Sequence, residues 1–269
     1  MRNLPCRHGR TWRMRSLLRS FGVVAAVALG VALVAALITL VFAPRPVGSG
    51  WPEPGAPPEP LPRWAPPVAP PVAAATPTGP GVAGLVDLEW LGAASDATGI
   101  PARALAAYAG AAIVKAAAMP ECRLSWATLA GIGAIESDHA RHGGSRLDET
   151  GTAVPPIFGV ALDGDGVALI PDSDGGEIDG DPDGDRAVGP MQLIPQTWRN
   201  WHVDGNGDGI EDPQNIDDAV VAASNYLCRA STAFDTEEGW RTGVISYNSA
   251  TDYVGRVARA AIRYGDAVA

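Results

Sequence analysis

The sequence predicts a mainly α-helical domain, preceded by a single transmembrane helix and a disordered proline-rich linker. Three observations carry this. Residues 21–43 are uncharged over 23 positions, enough to cross a hydrocarbon core of about 30 Å. Fourteen of the chain's 24 prolines stand between Pro44 and Pro80. From Leu85 onward, apolar runs alternate with the N-cap and proline signals that start and stop helices.

In chain order, residues 1–20 form a basic tail whose Arg2, Arg7, Arg10, Arg13, Arg15 and Arg19 should stay cytoplasmic. Residues 21–43 then anchor the chain in the cell membrane as a single pass and leave the remainder outside. Cleavage after Val41-Phe42-Ala43 would release it instead, but Pro44 suits a cleavage site badly. Residues 44–84 are too poor in bulky apolar side chains for a core. As polyproline II, at about 3.1 Å per residue, they reach up to about 100 Å.

Residues 85–269 suffice for one domain. Helices are expected over 86–98 and over 101–118, the second with Pro101 at its first position and Leu105, Tyr108 and Ile113 on its apolar side. Pro120 stops it. Cys122 and Cys228 are the exported cysteines, since Cys6 lies on the cytoplasmic side. In an oxidising compartment they favour a disulfide; the alternative is two separately buried thiols.

The next helix, Leu124 to His139, reads LSWATLAGIGAIESDH and begins at Ser125 as N-cap. Its apolar residues surround the axis, as in a buried helix. Gly131 and Gly133 each cost about 1 kcal/mol of helix propensity, so another backbone or a ligand should approach closely. At the far end Glu136 is disfavoured as an anion by the helix dipole and by desolvation. Both raise its pKa, which suits a general acid; the alternative is a structural glutamate paired with Arg141 or Arg146.

The domain holds 12 basic and 28 acidic residues, a net charge of 12 − 28 = −16. It lacks the basic face of a nucleic-acid binder, and cations are its natural partners. The Asp/Gly-rich stretch from Leu162 to Arg186 matches no fixed ligand spacing and reads as a solvated acidic lid. Asp204-Gly-Asn206-Gly-Asp208-Gly-Ile210-Glu-Asp212 matches the opening of an EF-hand-like calcium loop: oxygen side chains at Asp204, Asn206, Asp208 and Asp212, and the Ile210 carbonyl. Asn215 replaces the usual bidentate glutamate and is better placed to cap the following helix. The loop is thus shortened, and the Ca²⁺ is expected to be structural; the alternative is a plain Asp/Asn/Gly turn without an ion.

Two further motifs are Gly189-Pro-Met191-Gln192-Leu-Ile-Pro-Gln-Thr-Trp198 and Ile245-Ser-Tyr247-Asn248-Ser-Ala-Thr-Asp-Tyr253. With the Glu136-Ser137 pair, IPARALAAY and the Asp-Asn-Asp loop, they occur in one characteristic order. From Leu85 to the end the domain resembles the soluble lytic transglycosylase type 2 domain of membrane-bound lytic murein transglycosylase B and its actinobacterial relatives, in the lysozyme-like superfamily. The resemblance implies a catalytic Glu136, with Ser137 shaping the site. It implies that Met191 and Gln192 line a glycan cleft, and that Tyr247 and Asn248 contact the sugar beside the cleaved bond; the structural alternatives are a core filler for Met191, a turn-bonding amide for Gln192, a packed aromatic for Tyr247 and a helix cap for Asn248. The implied substrate is the peptidoglycan strand, cut between N-acetylmuramic acid and N-acetylglucosamine with formation of a 1,6-anhydro end and no cofactor in the chemistry. Two alternatives remain open: a hydrolytic muramidase using Asp138 or an acidic-loop carboxylate as second group, and a non-catalytic wall-binding scaffold.

Overall fold

A computed structural model describes residues 60–269; the expected basic tail, membrane span and first part of the linker lie outside the described residues. Seven α-helices dominate: α1 Leu88–Thr98, α2 Ala102–Ala118, α3 Trp126–Ser137, α4 Pro195–Trp201, α5 Ile216–Ala230, α6 Glu237–Tyr247 and α7 Tyr253–Val268. Two small antiparallel pairs join them, β1 (Arg146–Leu147) with β2 (Ala153–Val154), and β3 (Phe158–Ala161) with β4 (Arg186–Val188). Among the described residues no single helix is long and apolar enough to cross a membrane.

Local chemistry sets most helix ends. Asp87, Ser125, Asn215 and Thr236 each cap the following helix by accepting a backbone N–H with the side chain. Pro101 stands just before α2 rather than at its first residue, and Asp138 ends α3 with a left-handed φ of 51°.

α3 is the centre of the core, buried at every position from Trp126 to Gly133. Its glycines mark the expected close approaches. A Cβ on Gly131 would lie 3.0 Å from the Val257 carbonyl of α7, and one on Gly133 would lie 2.1 Å from the Tyr108 hydroxyl of α2. The Cys122–Cys228 disulfide joins the segment entering α3 to the last turn of α5. Arg103 of α2 donates to both oxygens of buried Asp217, at 2.9 and 2.6 Å, and so ties α2 to the start of α5.

Two expectations are corrected. Residues 60–84 are not a free spacer but a strap on the helices. Ala65 is buried, the Ala69 carbonyl accepts from the Trp126 indole at 3.1 Å, and the Arg63 carbonyl accepts from Arg241 at 3.0 Å. Leu61 and Val68 lie over Gly255 and Gly265 of α7, where an added Cβ would come within 2.4 Å of either side chain. Proline-rich chain leaves its carbonyls free, and here neighbouring side chains supply the donors. The acidic stretch 162–186, likewise, is no loosely solvated lid. Fully buried Asp185 accepts from the Ser173 N–H and hydroxyl, both at 2.9 Å, Asp179 accepts from the Arg186 N–H at 2.5 Å, and Ile178 packs on the core.

Candidate active site

Glu136 occupies the last turn of α3 and opens into a groove of about 490 Å³. Gln192, Tyr226, Tyr247 and Asn248 line that groove, together with apolar Leu162 and Ile170 from the first third of the acidic stretch. Burial pushes the Glu136 carboxyl up to about 7; the Tyr253 hydrogen bond and the Arg256 charge oppose the rise without cancelling it. Neither arginine of the structural alternative holds it. Arg141 is taken by Asp138, at 2.7 and 3.1 Å, and Arg146 donates to the Ser145 carbonyl. Asp138, considered above as a second carboxylate, lines a different hollow. Among the described residues lining the groove, Glu136 is the only carboxyl.

The Tyr253 hydroxyl donates to Glu136 Oε1 at 2.5 Å. Sequence reasoning gave this residue no role although it ends the Tyr247-Asn248 motif. Its position six residues after Tyr247, at the first turn of a helix, was the available signal. The bond favours the carboxylate, so its loss raises the Glu136 pKa further. Tyr253→Phe is therefore expected to move the alkaline limb of the pH–rate profile above about 7. An unmoved limb would show that the bond does not tune the acid.

The other site residues divide. Tyr247 closes α6 and donates to the Met191 carbonyl at 2.6 Å, which sets its ring as a groove wall 6.0 Å from that of Tyr226. Gln192 adopts a left-handed φ of 48° and donates from its amide to the Gly189 carbonyl at 3.0 Å, which holds it at the groove. Asn248 is exposed at the end of α6 and accepts from the Ala250 N–H. Met191, expected to line the cleft, is instead fully buried in the core. Ser137 is 1 % exposed; its hydroxyl donates to the Pro190 carbonyl at 2.6 Å and accepts from the Ala140 N–H. It pins the end of α3 to the turn before Gln192 and shapes the site from behind.

The 204–212 loop has oxygen donors suited to a hard cation. Its side chains, however, are turned to the loop's own amides: Asp204 accepts from Gly207, Asp208 and Gly209, Asn206 from Asp208, Asp208 from Ile210, and Asp212 from Gln214. Asp204 Oδ1 accepts two of these bonds, but Asp204 Oδ2 and the bonded oxygens of Asn206, Asp208 and Asp212 accept one each and keep a second lone pair, so the donor chemistry still fits Ca²⁺. Among the described residues, the carboxylates gathered within 4.8 Å of one another are those of Asp172, Asp174 and Asp185, rather than those of this loop. Buried Asp218 of α5 accepts from the Gly205, Asn206 and Asp212 N–H groups and fastens the loop to the helix.

Residues 175–261 match the family model described as Transglycosylase SLT domain, about a third of the chain. The matched span includes Gln192, Tyr247, Asn248 and Tyr253 but begins after Glu136. No curated protein and no solved structure matches the chain. The family implies glycosidase-like lytic transglycosylase activity with peptidoglycan as substrate.

Proposed function

We propose that the chain is a peptidoglycan lytic transglycosylase of the membrane-bound B-like type, cleaving the β-1,4 bond between N-acetylmuramic acid and N-acetylglucosamine with Glu136 as sole acid and base. The observation that supports it best is a solitary groove carboxyl pushed up to about 7. At neutral pH about half of such groups carry the proton that must go to the glycosidic oxygen. As the bond breaks, positive charge develops at the muramic C1, which the new carboxylate faces. Glu136 then takes the proton of the C6 hydroxyl while that oxygen bonds to C1. The proton given is recovered, and a 1,6-anhydro ring closes without water. Hydrolytic glycosidases need a second carboxylate, about 5 Å away in retaining enzymes or about 6.5–9.5 Å away in inverting ones. A tethered nucleophile removes that need and supplies part of the rate through proximity. Gln192, Tyr247 and Asn248 hold the sugars; Ser137 and the Met191 carbonyl support Gln192 and Tyr247, and Tyr253 holds Glu136.

Mass spectrometry of peptidoglycan digested by the full chain tests this. Products one water lighter than hydrolytic fragments are expected. Hydrolytic masses would identify a muramidase, and intact strands would leave a wall-binding scaffold. On this reading residues 21–43 anchor the protein and the described domain works outside the membrane.

Ca²⁺ is proposed as a structural ion of the 204–212 loop, held by Asp204, Asn206, Asp208, Asp212 and the Ile210 carbonyl. Chelation should lower the melting temperature while changing the cleavage rate of the folded enzyme little. A melting temperature indifferent to Ca²⁺ up to about 10 mM, above the weak extracellular affinity class, would remove the ion from the account.

A further inference from the structure

Three successive non-glycine residues follow the end of α3 in left-handed backbone conformation: Asp138, His139 and Ala140, with φ of 51°, 57° and 65°. A side chain clashes with its own backbone there, so such residues enter this region singly, and a run of three persists only where its surroundings hold it. Here the main chain is held throughout. The Asp138 N–H donates to the Ala134 carbonyl at 3.1 Å, the His139 N–H to the Gly133 carbonyl at 3.0 Å, and the Ala140 N–H to the Ser137 hydroxyl at 2.9 Å. The turn sends the His139 side chain back into the core, where it is 2 % exposed.

There the ring joins three helices. Nδ1 lies 3.2 Å from the Tyr108 hydroxyl of α2, and Nε2 lies 2.8 Å from the Tyr264 hydroxyl of α7. Gly133 leaves room for the first of these, since any Cβ there would strike the Tyr108 hydroxyl. Burial fixes the tautomer. Tyr108 is fully buried and its hydroxyl has, among the described residues, His139 as hydrogen-bond partner, so its proton goes to Nδ1 and the ring proton sits on Nε2. Nε2–H then donates to the Tyr264 oxygen, which also accepts from Arg263 at 2.9 Å. Burial, helped by the charges of Arg141 and Arg263 and opposed by that of Asp138, pushes the ring pKa down to about 4. Around neutral pH the bridge is therefore uncharged.

Helix α7 links this bridge to the acid. Tyr253, Val257, Ala261 and Tyr264 follow one another at spacings of four, four and three, and so share one helix face. Against that face lies α3. A Cβ on Gly131 would come within 3.0 Å of the Val257 carbonyl and 3.3 Å of the Ala261 Cβ, Tyr253 donates to Glu136 at one end, and Tyr264 accepts from His139 at the other. The middle of the contact is small and apolar, and apolar burial has no direction of its own. Direction comes from the hydrogen bonds at the two ends, and the His139 end is the one sealed from water. We propose that His139 is a positioning residue: by holding Tyr264 and Tyr108 it sets α7 against the end of α3 at the angle from which the Tyr253 hydroxyl reaches Glu136. This rests on the transglycosylase reading above and adds to it how the acid is held.

The test reads, in the full chain, the pH–rate profile on peptidoglycan and, independently of cleavage, the titration of the Glu136 carboxyl by carbon NMR. His139→Phe keeps a buried ring and removes both bonds. Because the ring it replaces is neutral, a shift of the acid cannot come from lost charge. The variant is expected to raise the Glu136 titration above about 7, in the direction of Tyr253→Phe, and to lower kcat on the acid plateau about 10- to 100-fold with KM unchanged. Added to Tyr253→Phe it should shift the titration no further, since the bond it acts through is already gone. His139→Gln, whose amide N–H reaches the Nε2 position, should restore most of both. If His139→Phe does not fold, Tyr264→Phe removes the same bond from the α7 side and should move the titration likewise. A lower melting temperature, with the titration and kcat of the folded variant unchanged, would overturn the proposal. So would a full further shift in the Tyr253→Phe background. Failure of wild type to cut peptidoglycan would sink the transglycosylase reading, while the carboxyl titration would still decide the positioning.

Discussion

Glu136→Gln should abolish strand cleavage, by a factor of at least about 10² to 10⁴, because glutamine can neither give nor recover the proton while keeping nearly the same shape. Folding and glycan retention should survive, since Glu136 holds no arginine and its protein partner, Tyr253, can still donate to the amide oxygen. Undiminished turnover would refute the assignment. The pH dependence has a definite sign. Burial places the folded carboxyl at about 7 against 4.5 for the exposed side chain. The acid form dominates below 7, so wild-type cleavage should fall as pH rises through that value. Stability follows the same group. A carboxyl whose pKa is raised on folding leaves the folded state undisturbed below about 4.5, penalises it increasingly between 4.5 and 7, and penalises it fully above 7. The variant should therefore match wild type in stability at pH 4 and exceed it at pH 8 by up to about 3 kcal/mol, readable by denaturant unfolding at the two pH values.

The second large effect is structural. Replacing Cys122 and Cys228 by serine opens a link spanning 106 residues and should cost about 2–5 kcal/mol. In a domain of this size that lowers the melting temperature by about 10 °C. Cys122 precedes α3 at the end opposite Glu136, so the folded variant should cleave at close to the wild-type rate at 25 °C. A melting temperature unchanged by the substitutions or by reductant would mean that the bond adds little to the core in which both cysteines are buried.

Features that depend on near neighbours could be read from the chain. Ser125 and Asn215 accept amide protons two or three residues away, so their capping needs no tertiary partner. Glu136 could be singled out because helix dipole and apolar surroundings both act within its own helix. The strap could not be foreseen, because the fate of residues 60–84 depends on the bare glycine surface of α7, some 190 residues later. Ser137 and Met191 turned inward for a related reason. Motif order places a residue near the site without saying which way its side chain points, and that direction comes from how α3 and the 189–193 turn meet.

By itself, then, the amino-acid sequence determined a helical domain with an acidic balance, a lone candidate acid at the end of a capped, buried helix, and two thiols positioned to pair. Tertiary structure alone decided that Tyr253, 117 residues away, donates to that acid, that the convergent carboxylates belong to Asp172, Asp174 and Asp185, and that His139 bridges α2 and α7. Capping and helix periodicity act over a turn or two of chain, whereas a pKa, a groove wall or a buried bridge is made by surfaces that meet only after the helices have packed.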